Sequence, residues 1–181
     1  MKPLWLLNIA YIKNFLYNIT NLNKIIMKDS EMFRKFTGEK IPEVDEYVKA
    51  YIETHDGIEI LVGTDSQNRG ENTVYSTVIA LYEPGHGAHC IFKRWRTPRE
   101  RIMATRLMNE VWASVECAEG LKNSGVGAVK YIDIDINPNP RYKSNEVFNS
   151  AKGMIEGMGY EVRFKTFGPL VTTMADYVVK H

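Results

Sequence analysis

Apolar positions from residue 44 onward recur at a three-to-four spacing. Val44, Tyr47, Val48, Tyr51 and Ile52 fall at i, i+3, i+4, i+7 and i+8, one face of a helix. Pro42 suits a first helical turn, so the helix is expected to open at Ile41–Pro42 and to stop at Asp56–Gly57. The pattern then changes. Ile58 to Val62 is a short β-branched run that predicts a strand, with Gly63-Thr64-Asp65-Ser66 at its end. The run "SQNRGENT" reads as a turn. A second strand is predicted over Thr73–Tyr82 and a third over Cys90–Trp95, joined by the turn "EPGHGAH". Three strands in succession with turn-rich joints make an antiparallel meander.

Helical spacing returns after Trp95. Met103, Leu107, Val111, Val115, Ala118 and Leu121 form one stripe, with Thr97 as the expected cap and Pro98 in the first turn. Val126–Ile136 predicts a fourth strand, Asn145–Met158 a helix ended by Gly159, and Tyr160–Phe167 a fifth strand. Gly168-Pro169 breaks the chain, and Thr172 or Thr173 is expected to cap a last helix through Asp176. The order β-β-β-α-β-α-β-α after residue 57, with the helix of residues 41–56 in front, implies an α/β domain on a mixed five-stranded sheet.

Composition changes little in this picture. The chain of 181 residues is long enough for one domain with a sizeable core. Its net charge is +1, so overall charge gives no argument for a polyanionic partner. Two cysteines, Cys90 and Cys117, form no disulfide framework and no paired zinc pattern, which makes a reducing cytoplasm the default. His86 and His89 beside Cys90 read as a solvated hairpin tip rather than a metal site. No apolar run is long enough to span a membrane, and no cleavage site follows the apolar stretch of residues 3–19. Residues 1–31 read as an N-terminal extension or the product of a translation start set too far upstream, with an amphipathic helix docking on a partner as the functional alternative, ahead of a domain over 32–181.

Acidic residues at strand ends carry the chemistry. A carboxylate within an apolar strand is costly unless it is paired or meets a cation. Asp65 follows "ILVGT". Asp133 and Asp135 lie two apart in "YIDIDINP" and so point to one face, while Ile132, Ile134 and Ile136 point to the other. Glu110 borders the apolar stripe of the long helix, where spacing alone reads as an exposed Glu. Asp176 in the last helix means little alone. Lys93, Arg94, Arg96, Arg99, Arg101 and Arg106 crowd the end of the third strand and the start of the long helix, with Phe92 and Trp95 among them. Arg141 and Lys143 follow the fourth strand. Such a cluster suits phosphate contact and stacking, and its plain alternative is a solvated basic face balanced by Glu83 and Glu100.

Strand-end Asp, helical Glu, fourth-strand Asp and last-helix Asp in this order resemble the ribonuclease H superfamily. "VGTDSQ", "IDIDINPN" and "MADYVVK" are most similar to the YkuK-type family of ribonuclease H-like nucleases, over roughly residues 33–181. That resemblance implies a phosphodiester hydrolase using two Mg²⁺ or Mn²⁺ ions, and a nucleic acid substrate (RNA, DNA or hybrid). It implies Asp65, Glu110, Asp135 and Asp176 as catalytic acids. Asp65 would bridge both ions, Asp176 would serve the ion on the water side, and Glu110 with Asp135 the ion on the leaving side. Asp133 stands beside Asp135 as a further possible ligand. Lys93, Arg94, Arg96, Arg99, Arg101, Arg141 and Lys143 become the expected nucleic-acid contacts. A non-catalytic binding or scaffold protein of the same fold is the alternative. A nucleotide-sugar transferase or a haloacid-dehalogenase-type phosphatase would place "DID" differently in the chain, and no Gly-rich phosphate loop with Lys is present.

Overall fold

A computed structural model describes residues 32–127, 129–164 and 170–180. Seven strands form one sheet: β1 (Phe33–Lys35), β2 (Lys40–Ile41), β3 (Glu59–Arg69), β4 (Asn72–Glu83), β5 (Gly87–Pro98), β6 (Tyr131–Ile134) and β7 (Glu161–Phe164). Their spatial order is β2-β1-β5-β4-β3-β6-β7. The contacts from β2 to β3 are antiparallel, and β3–β6 and β6–β7 are parallel. Among the described residues, four α-helices accompany the sheet: α1 (Val44–Thr54), α2 (Met103–Asn123), α3 (Phe148–Gly157) and α4 (Leu170–Lys180). A 3-10 turn over Lys143–Val147 leads into α3.

The mixed sheet is as expected, but it has seven strands rather than five. β1 and β2 are three and two residues long, too short to show an alternation. They add an edge by pairing Arg34 with Phe92 and Phe33 with Ile41. The third predicted strand also runs on through Thr97 and Pro98, which pair with Thr73 and Asn72, and α2 begins only at Met103. Pro98 is tolerated there because, among the described residues, no strand pairs with that end of β5 on the side away from β4. Met103 consequently lies outside the apolar stripe and is exposed. The loop between strand and helix is pinned instead by the Thr73 hydroxyl, which accepts from the Glu100 N–H and donates to Asn68.

The two faces of the sheet bury different things. α1, α2 and α3 cover one face, where Val48, Val111, Val115, Ala118, Ile155, Ile132 and Val62 form the main core. On the opposite face α4 packs Val171 and Ala175 on Leu61, Val78 and Ala80. Alternation along β3 therefore points Leu61, Gly63 and Asp65 toward α4, and Val62, Thr64 and Ser66 toward α2. At Gly63 a Cβ would meet the Asp133 carbonyl oxygen at 3.0 Å and Val171 Cγ1 at 3.1 Å. Glycine at this position lets α4 start close against the sheet. Residues 1–31 and the break at 168–169 lie outside the described residues. Among the described residues, no helix is long and apolar enough to cross a membrane.

Candidate functional site

β3 is longer than the sequence suggests, so Asp65 is not at its end. It sits mid-strand, opposite Ser76 of β4. On the other side, however, the parallel pairing with β6 closes at Gly63↔Asp133. Two residues further on, Asp65 and Asp135 stand level at the edge where β6 has stopped. The carboxylate thus emerges at a break in the sheet rather than at the tip of its own strand.

Asp135 and Asp133 share a face, as their spacing requires, yet they meet different surroundings. Asp133 is fully buried, and both its oxygens are engaged by Arg163 of β7, Nε at 2.7 Å and Nη2 at 2.9 Å. Its Oδ2 also accepts the Val171 N–H at the start of α4. Asp133 is therefore a structural anion that joins β6, β7 and α4. Of the two aspartates considered as metal ligands, Asp133 has both oxygens taken by a forked guanidinium.

Among the described residues, Asp65 has no such cation. It is 9% exposed, and burial pushes its carboxyl up to about 7, with the charges of Asp135 and Asp176 pushing the same way. Asp176 raises it both through its charge and through a side-chain interaction with the Asp65 carboxyl. The Ser66 N–H works in the opposite direction. α4 presents Asp176 half-exposed, with Lys180 one turn on as its ion-pair partner. The helix is held by buried Val171, Ala175, Val178 and Val179, and by Arg69, which donates to the Lys180 carbonyl.

Glu110 approaches from the other face. It lies on α2 and is 3% exposed, buried where spacing alone suggested an exposed Glu. Burial and the charges of Asp65 and Asp135 hold its carboxyl well above the usual range. Ser66 donates to its Oε1 at 2.5 Å, and Arg106, one turn earlier, reaches Glu110 Oε1 at 3.2 Å and Ser66 Oγ at 2.6 Å. Ser66 and Arg106 are the residues that the sequence reading underrated here. An i, i+4 Arg–Glu spacing on α2 was the available signal.

Asp135, Asp176 and Glu110 thus all lie within electrostatic reach of Asp65. An all-oxygen set suits a hard divalent cation, and such an ion would relieve the repulsion that raises Asp65 and Glu110. The donors fit in kind. They are not preassembled: among the described residues, no three Asp, Glu, His or Cys side chains are arranged to hold an ion. Glu110 is held by Arg106 and Ser66, and Asp176 by Lys180.

The expected basic contacts divide in two. Arg99, Arg101, Arg141 and Lys143 lie exposed at the start of α2 and in the loop after β6. Arg94 and Arg96 share the α4 face of β5. Lys93 points to the opposite face, over the rings of Phe33 and Trp95, and leaves the group. His89 also lies on that far face, bonded to the Tyr47 hydroxyl at 2.8 Å, while Cys90 points the other way with its thiol pushed up to about 11 by burial. The hairpin His/Cys group therefore does not converge.

A model of the ribonuclease H-like family matches residues 41–180, most of the chain. No curated protein and no solved structure matches it.

Proposed function

We propose that this chain, which belongs to the ribonuclease H-like family, is a divalent-metal-dependent nuclease acting on phosphodiester bonds. The observation that carries this reading is Asp65: a buried carboxyl raised to about 7, with Asp135, Asp176 and Glu110 around it and no ion pair to a basic side chain among the described residues. Asp65, Asp135, Asp176 and Glu110 would hold two Mg²⁺ or Mn²⁺ ions. Bound ions of this kind neutralise a phosphodiester's charge and acidify water. Arg106 and Ser66 orient Glu110. Exposed Arg99, Arg101, Arg141 and Lys143 would take backbone phosphates, a contact that weakens as salt rises. Asp133 keeps the edge of β6 and the start of α4 in place without touching the reaction.

The test is Asp65→Asn. Removing one ligand charge forfeits several kcal/mol of transition-state stabilisation, so Mn²⁺-dependent cleavage of oligonucleotides should drop roughly a thousandfold. Cleavage that survives intact in the variant sinks the nuclease reading. A second reading, a nucleic-acid-binding protein without catalysis, is favoured by the absence of a three-donor arrangement among the described residues. It wins if the wild-type chain binds nucleic acid but cleaves none with Mg²⁺ or Mn²⁺.

A further inference from the structure

The sheet face that carries Asp65 continues past α4 toward the β1 edge, and aromatic rings gather there. Phe92 of β5 is packed against the Leu61–Val78–Ala80 cluster and is fixed from below. Phe36, just after β1, lies on it with ring centroids 5.0 Å apart, and Tyr177 of α4 is 6.3 Å from Phe36. Phe36 remains 41% exposed and Tyr177 53% exposed, so both offer ring surface to solvent.

Arginines follow the same face. Arg34 is paired opposite Phe92, and Arg94 and Arg96 come two and four residues after it on β5. The register sets Asp65, Ser76 and Arg94 in one row across three strands. Both Ser76 Oγ and Arg94 Nε are buried without a hydrogen-bond partner among the described residues. Burial and the guanidiniums of Arg69 and Arg96 all work against the charge on Arg94. Crowded guanidiniums and orphaned donors beside exposed rings suit an anion that carries flat apolar groups.

We infer that this strip is a stacking platform for single-stranded nucleic acid, which names the substrate class of the proposed nuclease and rests on that reading for its link to cleavage. Bases in a duplex are stacked on both sides and paired at their edges. Only an unpaired base can lie against Phe36 or Tyr177. Tyr177 directly follows Asp176, so a nucleotide stacked on its ring brings its own phosphate to the acid cluster. Arg94 and Arg96 then follow the backbone along β5.

The experiment measures binding of the full chain to a fluorescent single-stranded oligonucleotide and to the blunt duplex that it forms with its complement, in EDTA so that no cleavage intervenes. Tyr177→Ala and Phe36→Ala, both at exposed rings, are compared with wild type. The single strand should bind at least ~10-fold tighter than the duplex. Each alanine should weaken single-strand binding roughly 5- to 100-fold, leave the duplex unchanged, and Tyr177→Trp should retain affinity. Equal binding of both forms, or variants without effect, overturns the inference. Unchanged affinity together with new protease sensitivity of residues 1–31 in Tyr177→Ala would show the chain's own extension on the strip, and also overturns it. Strand preference without Mn²⁺-dependent cleavage upholds the platform and sinks the nuclease. Cleavage lost in Asp65→Asn without strand preference does the reverse.

Discussion

Asp133 and Asp65 are both buried aspartates on adjacent strands of one sheet face, and they have opposite characters. Asp133 has Arg163 on both oxygens and the Val171 N–H as well. Asp65 has Asp135 and Asp176 for neighbours. Burial alone therefore does not mark a site. What marks it is burial without countercharge, where folding leaves an electrostatic cost that only a ligand or a proton relieves.

Four changes test the contrast. The largest effect is expected at Asp133. Asp133→Asn strands Arg163 at the β7 edge, and breaking a buried pair of this kind costs about 3–5 kcal/mol, read by urea denaturation. A loss under about 1 kcal/mol would show that Arg163 finds water instead. Asp65→Asn should do the opposite. At pH 8 without metal it removes a like charge from the cluster and should stabilise the fold by roughly 1–3 kcal/mol, even while cleavage is lost.

The pH dependence follows from the same residue. Asp65 moves from 3.8 to about 7 on folding, so the folded chain holds a proton that the unfolded chain has released between those values. Stability without metal is then full below about pH 4, falls through the window to about pH 7, and levels off above it. Glu110, also raised, adds slope of the same sign. Thermal melts across this range check it, and the slope should shrink to the share of Glu110 in Asp65→Asn. The smallest effect is expected for Ser66→Ala, which removes one donor from Glu110 and one acceptor from Arg106. It should cost about 1 kcal/mol, and Glu110 should become harder to ionise.

The contrast was half legible in the sequence. A period of two puts Asp133 and Asp135 on one face whatever the fold around them. Which of them is engaged depends on Arg163, thirty residues away on a strand that pairs only in the folded sheet. The family resemblance picked out Asp65, Glu110 and Asp176, but the burial of Glu110 comes from α2 packing over Ser66. Thr97-Pro98 has the chemistry of a helix start, and β-pairing with Asn72 and Thr73 overrode it. β1 and β2 have too few residues for any periodicity, so the aromatic edge that Phe36 helps to form could not be foreseen.

Gly63 gives the acid cluster a mechanical tolerance. A Cβ there would press on Val171 at the start of α4, and Asp176 stands five residues, about 7.5 Å, up that helix from Val171. A single methyl at position 63 would act as a shim under one end of a short lever. The helix would have to lift or slide by a few tenths of an ångström, and its far carboxyl would move with it. Alignment of the acids is thus set remotely, by a residue that carries no charge of its own.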